Sequence, residues 1–320
     1  MADPRSRPLS EVGEFELVSE ITSVFSPGER VLVGPGDDAA VVARSDGPVV
    51  ASLDLLVQDR HFRLDWSSAA DVGHKAAAAN LSDINAMGGR ATGLLVGLAL
   101  PGDLELGWVL DFAAGLAEEA ALVGASVVGG DVSSADRIAV AVSVLGECPA
   151  RVVTRAGARP GDLVGLAGRQ GWAAAGQAVL ARGFRSPRAV VEAHRRPQPP
   201  YSAGLDAAAA GATAMVDVSD GLVQDLGHLA RSSAVAIDVS AADLDVAEPL
   251  RSVGAALGMD PVRFVLTGGE DYSLAATFPD GTRLPAGWAT IGWVLVDGEP
   301  GRVTVDGSAY DAPGHQHFRS

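Results

Sequence analysis

The chain has 320 residues, 48% of them hydrophobic, and a formal net charge of −16. That length exceeds what one core usually organises, so two domains are expected, and the acidic balance argues against nucleic acid or an anionic membrane surface as partner. Cys148 is the only cysteine and Lys75 the only lysine, which excludes an intrachain disulfide and leaves Arg, backbone N–H groups or cations to neutralise any phosphate-rich ligand.

Residues 1–16 hold no apolar signal core, and no apolar run reaches the ~18 residues of a membrane span; the chain is expected to be soluble and cytoplasmic. Leu17, Ile21 and Phe25 share one face of a first helix that Ser26-Pro27-Gly28 ends. Val31-Leu32-Val33 then runs through Gly34-Pro35-Gly36 to an acidic pair, Asp37-Asp38. This reads either as a hairpin turn with solvated acids or as a cation site at a strand mouth. Residues 49–54 form a strand with Ser52 one alternation before Asp54. His61 follows on a loop, compatible with substrate contact or with a plain turn histidine. Ser68-x-x-Asp71 is a capping-box start for a helix over 69–87, which Gly88-Gly89 ends. Its Ala76–Ala79 stretch is thin enough to lie close against a sheet, and Asn80 and Asp83 share a face at i, i+3. A strand over 93–100, a long helix to about 123 and the strand Ser126-Val127-Val128-Gly129-Gly130-Asp131 come next, then a strand over 137–146. Asp38, Asp54, Asp83 and Asp131 each sit at the end of an apolar element or on a packed helix face. Like charges so placed repel unless cations join them, so they are expected to converge as metal ligands.

Glu147-Cys148-Pro149 marks the expected domain boundary. Beyond it, Gly165-x-x-Gly168-x-x-Gly171 lacks the spacing of a dinucleotide fingerprint and the lysine of a P-loop, and reads as close packing. The run from His194 to Pro200 is expected to be extended. Val216-Asp217-Val218-Ser219 alternates as a strand, after which Leu222, Leu226 and Leu229 begin a helix. Ser219 or Asp220 is its expected N-cap, leaving helix N–H groups to face an anion. Asp217 and Asp220 suit a hard cation such as Mg²⁺, or the stretch is a capped turn and no more. Phe264-Val265-Leu266-Thr267 reads as a strand running into Gly268-Gly269-Glu270-Asp271-Tyr272. The overall expectation is an α/β (α+β) protein of two related units.

The order and spacing of Gly36-Asp37-Asp38-Ala39-Ala40, Ser52-Leu53-Asp54, His61-Phe62, Asn80-Leu81-Ser82-Asp83, Gly129-Gly130-Asp131, Thr154-Arg155-Ala156-Gly157, Asp217-Val218-Ser219-Asp220-Gly221-Leu222 and Gly268-Gly269-Glu270-Asp271-Tyr272 resemble the thiamine-monophosphate kinases. These belong to the aminoimidazole ribonucleotide synthetase-like superfamily, and the resemblance covers nearly the whole chain. It implies ATP-dependent phosphorylation of thiamine monophosphate to thiamine diphosphate by a homodimer. In such a dimer the N-terminal domain (1–148), which binds ATP and Mg²⁺, joins its sheet to a shared barrel, an α/β domain (149–320) follows, and nucleotide lies between the two. It further implies that Asp38, Ser52, Asp54, Asp83, Asp131, Asp217 and Asp220 bind several Mg²⁺ ions, with Asp83 and Asp220 the most critical. Gly130, Arg155 and Ser219 would contact ATP, and His61, Glu270 and either Tyr310 or His315 the thiamine compound. Chemistry agrees with that assignment: an acceptor phosphate is largely ionised near neutral pH and needs neither general base nor protein nucleophile. The alternatives are another ATP-dependent synthetase of the superfamily and a non-catalytic Mg-nucleotide-binding protein.

Overall fold

Period-2 apolar runs separated by helical ones fold, in the computed structural model, into two α/β units. The structure describes residues 3–35, 39–44 and 48–310. One unit comprises residues 1–84 and 90–149, the other residues 85–89 and 150–320.

In the first unit, helix α1 (Glu14–Val24) precedes the two-stranded pair β1 (Val31–Val33) and β2 (Val41–Val42). Then come β3 (Val49–Val57), α2 (Ala69–Ala86), β4 (Arg90–Leu100), α3 (Leu106–Ala121), β5 (Ser126–Ser134) and β6 (Ala139–Glu147). The long strands form one sheet in the order β3-β6-β4-β5, antiparallel except for the parallel β4–β5 pair. Val140, Val142, Val144 and Leu94 of the sheet, Leu81 and Ile84 of α2, and Phe112 and Leu116 of α3 are all but sealed from solvent. Ala76–Ala79 are equally buried, so this thin stretch of helix is enclosed on all sides. The capping box is formed in both directions: Ser68 N–H donates to Asp71 Oδ2 at 3.0 Å, and Asp71 N–H to Ser68 Oγ at 3.3 Å.

The second unit runs β7 (Leu163–Ala167), α4 (Trp172–Ala181), α5 (Arg188–Arg195), α6 (Ala203–Ala209), β8 (Ala214–Val218), α7 (Leu222–Ser233) and β9 (Ile237–Val239). It continues with α8 (Glu248–Leu257), α9 (Val262–Thr267), β10 (Ser273–Phe278), β11 (Trp288–Val294), β12 (Val303–Val305) and β13 (Ser308–Ala309). Its sheet is seven-stranded, in the order β13-β12-β9-β11-β7-β10-β8. Met215, Leu274, Ala276, Phe278 and Trp288 fill its core with Ala203, Ala207 and Ala208 of α6; Phe278 and Trp288 meet edge to face with centroids 5.3 Å apart. The end of α2 belongs here because the Asn85 side chain bonds backbone of this unit: its Oδ1 accepts from Gly204 N at 2.8 Å and its Nδ2 donates to Pro200 O at 3.1 Å. No helix among the described residues is long and apolar enough to cross a membrane.

Four local expectations are corrected. Residues 264–267 lie in a helix, α9, not a strand. Asp54 and the Gly129-Gly130-Asp131 run lie inside β3 and β5 rather than at their ends. His194 and Arg195 close α5 instead of opening an extended crossing.

Candidate functional site

The first unit gathers one group of oxygen-bearing side chains on β3 and α2. Along β3, Val49, Ala51, Leu53 and Leu55 are exposed, while Ser52 and Asp54 alternate to the half-buried side that faces the helices. Ser52 Oγ donates to Asp83 Oδ2 at 2.6 Å, and the Asp54 N–H donates to Asn80 Oδ1 at 3.2 Å. Asn80 is held in turn by its own Nδ2, which donates to Ala76 O at 2.9 Å. A hydroxyl and two carboxylates therefore come from a strand and a helix whose register is locked by Asn80.

Asp131 is not part of that group. In the sheet it lies in the row Asp131–Gly97–Ala141–Leu55, whereas Asp54 lies in the row Gly130–Val96–Val142–Asp54. Adjacent rows point to opposite faces, so Asp131 faces away from Ser52, Asp54 and Asp83. It lines a cavity of about 740 Å³ together with Phe15, Val18, Leu95 and Ser143. Gly130 shares the Asp54 row, and a Cβ there would stand 2.1 Å from Val96 O, so only glycine fits. His61 is tied into the turn after β3: its Nδ1 accepts the Val57 N–H at 2.9 Å and its own N–H donates to Val57 O at 3.0 Å. That bond leaves the neutral ring's proton on Nε2. Asp38 lies outside the described residues.

The second unit builds its group around the β8–α7 junction. Asp217 is 4% exposed on β8, opposite Leu274 of β10. Ser219 and Asp220 follow half-buried. Neither caps α7. The N-cap is Gly221, at φ 133° and with no side-chain cap, and a Cβ there would stand 2.8 Å from Thr267 O. The capping carboxylate comes from within the helix: Asp225 Oδ2 accepts the N–H groups of Asp220 at 2.9 Å and Gly221 at 3.1 Å. Two of the N–H groups expected to face an anion are thus already engaged. Burial, reinforced by the neighbouring Asp220 carboxylate, pushes Asp225 up to about 7 against those two donors and Arg155. Asp220 Oδ2 accepts from Gln224 Nε2 at 3.2 Å.

Two loops close on this junction. Glu270 N–H donates to Ser219 O at 2.9 Å, and a Cβ on Gly269 would stand 2.1 Å from the same oxygen. Glu270 itself takes a left-handed backbone, φ 64°, and its Oε2 lies 3.5 Å from His194 Nδ1. The 155–158 loop is pinned to α7 by Ser233, whose Oγ donates to Arg155 O at 2.9 Å and accepts from Gly157 N and Ala158 N at 3.1 Å each. From that loop the exposed Arg155 guanidinium acts on Asp225 and His228. Tyr310 stands by Arg263 and Asp260 at the start of α9, its hydroxyl pushed up by burial; His315 lies outside the described residues.

Sequence reasoning missed Asp271. Helix α4 begins Gln170-Gly171-Trp172-Ala173 with no capping side chain of its own. Its N–H groups need an acceptor from elsewhere, and Asp271 Oδ1 supplies one, accepting from Ala173 N at 2.9 Å. The absent cap was the readable signal.

Oxygen donors from Ser, Asp and Glu suit Mg²⁺, which keeps several waters and takes only one or two carboxylates, usually beside phosphate. The paired Ser52 and Asp83, with Asp54 on the same face, and the adjoining Asp217 and Asp220 fit that requirement. Among the described residues no three His, Cys, Asp or Glu side chains form a ready-made cage; a Mg²⁺ held through phosphates and water does not need one.

Residues 36–148 match the family of AIR synthase related proteins, N-terminal domain. Thiamine-monophosphate kinase of Mycobacterium tuberculosis (strain H37Rv) is 46% identical over 307 residues, covering 95% of this chain and 91% of the relative. The crystal structure of thiamine monophosphate kinase from Aquifex aeolicus superposes with a TM-score of 0.78 at 31% identity, over 96% of this chain and 100% of that one. A structure of AaThiL complexed with AMPPCP and TMP gives a TM-score of 0.79 at 33% identity, over 98% and 99% of the two chains.

Proposed function

Because the chain belongs to the thiamine-monophosphate kinase family, we propose that it transfers the γ-phosphate of ATP to thiamine monophosphate, giving thiamine diphosphate and ADP. Near-full-length likeness to kinases of that name carries the reading, and the AaThiL complex with AMPPCP and TMP supports both substrates. The side chains suit the chemistry. Phosphoryl transfer asks for alignment and neutralisation of charge rather than covalent help, and both groups of residues are built of carboxylate and hydroxyl oxygens.

In this reading Asp38, Ser52, Asp54 and Asp83 of the first unit and Asp217 and Asp220 of the second hold Mg²⁺, with Asp83 and Asp220 the most critical. Asp131, on the other face of its sheet, serves a separate ion. Bound Mg²⁺ would supply charge neutralisation between the ATP polyphosphate and the acceptor phosphate, which would otherwise repel. Gly130, Ser219 and Arg155 contact the nucleotide, and His61, Glu270 and Tyr310 contact the thiamine compound. Transfer is direct and in line, without a phospho-enzyme.

The reading extends to a cytoplasmic homodimer. Val49, Leu53 and Leu55 are 52%, 59% and 52% exposed on one face of β3, an apolar strip of the kind that marks a protein interface. The test of function is product analysis after incubation with thiamine monophosphate, ATP and Mg²⁺. Thiamine diphosphate is the expected product, and its absence sinks the reading.

A further inference from the structure

We infer that Asp271, with Gln170, is a positioning residue that aims the Glu270 carboxylate at the thiamine compound; this rests on the role just proposed for Glu270. Asp271 is 4% exposed and lies next to Glu270 in a loop of unusual backbone. Glu270 and Tyr272 on either side of it both take positive φ, 64° and 53°. Left-handed conformations of non-glycine residues are strained and persist only where the surroundings impose them.

The surroundings do so at four successive points. Gln170 Nε2 donates to Gly268 O at 2.5 Å and Val265 O at 3.2 Å. Glu270 N–H donates to Ser219 O at 2.9 Å. Asp271 Oδ1 accepts from Ala173 N at 2.9 Å, at the start of α4. Ser273 Oγ donates to Gln170 Oε1 at 2.7 Å. The side chain of Asp271 thus ties the loop to a ten-residue helix that has no cap of its own. Its other oxygen, Oδ2, is buried without a hydrogen-bond partner, an arrangement that stability alone does not favour. With Asp271 anchored inward, the adjoining Glu270 stays half-buried, its Oε2 3.5 Å from Nδ1 of the buried His194.

The test is steady-state kinetics of the full chain, varying each substrate. Asp271→Ala is expected to raise KM for thiamine monophosphate about tenfold while KM for ATP stays within about twofold, as loss of orientation at one substrate predicts. Asp271→Asn keeps the acceptor for Ala173 N–H and is expected to restore most of that KM. In a Glu270→Ala background, Asp271→Ala should add nothing, since it acts through Glu270. Equal shifts in both KM values, or a full Asp271→Ala effect in the Glu270→Ala background, would overturn the inference. So would a Glu270→Ala variant with wild-type kinetics. If Asp271→Ala is too unstable to assay, Gln170→Ala loosens the same loop and must give the same split; a folded Gln170→Ala with unchanged kinetics also overturns it. Wild-type turnover separates the two readings: without it the functional proposal falls and takes this inference with it, and with it only the positioning role is at stake.

Discussion

Asp225 and Asp271 are carboxyls carried into the interior of the second unit, each used to satisfy backbone N–H groups at a helix start. Burial pushes Asp271 from the ordinary carboxylate range up to about 7, against the donors of α4 and the Arg169 charge. A carboxyl raised in this way favours the protonated folded state. The stability it contributes is fully present below about pH 4 and is lost as pH rises through about 7. Wild-type protein should therefore lose melting temperature between about pH 4 and 7 relative to Asp271→Asn, which has no such group to ionise. A gap between the two proteins that stays constant across that window contradicts the account. Individual residues were legible where the signal was local, as at Ser68 and Asp71, whose reciprocal cap the sequence spells out. Asp225 was not. Its carboxylate reaches back past its own turn to Asp220 and Gly221, while two better-placed capping residues, Ser219 and Asp220, stood ready to mislead. Asp271 serves a helix some hundred residues away in sequence: the missing cap of α4 shows that an acceptor is needed, but no local pattern names the residue that supplies it.

The junction of β8 and α7 shows what elements contribute. The strand delivers Asp217, the turn Ser219 and Asp220, and the helix its own cap, so the whole arrangement depends on one left-handed glycine. Gly221→Ala combines a φ of 133° with a Cβ 2.8 Å from Thr267 O, and should lower stability by at least about 2 kcal/mol. Denaturant unfolding measures it, and a loss below about 0.5 kcal/mol would count against the geometry. Most elements near the proposed site were readable from periodicity, since β3, α2, β8 and α7 are long enough to show period 2 or 3.6. Helix α9 was not, because six residues rich in Val, Phe and Leu look the same as a buried strand. The faces of β5 were also hidden: that Asp131 and Asp54 point oppositely follows from strand register, which only pairing defines.

At the scale of the molecule, acids from both units are proposed to serve one reaction, and the exposed β3 strip to join two copies. Leu53→Glu should convert a dimer to a monomer by light scattering while leaving the fold intact, since a buried unpaired charge costs several kcal/mol at an interface. A wild-type protein that is already monomeric refutes the dimer. The sequence marked a boundary at Glu147-Cys148-Pro149 from local composition. It could not show that residues 85–89 group with the second unit, which rests on Asn85 bonding to Gly204 and Pro200. The most direct measurement compares thiamine diphosphate and ADP formed by wild type and by Asp220→Asn, side by side, from thiamine monophosphate, ATP and Mg²⁺. The account predicts equal amounts of the two products from wild type. It predicts a rate at least about a hundredfold lower from Asp220→Asn at unchanged melting temperature, since metal-borne charge stabilisation is worth several kcal/mol. ADP released without thiamine diphosphate, or an Asp220→Asn variant as fast as wild type, would contradict it.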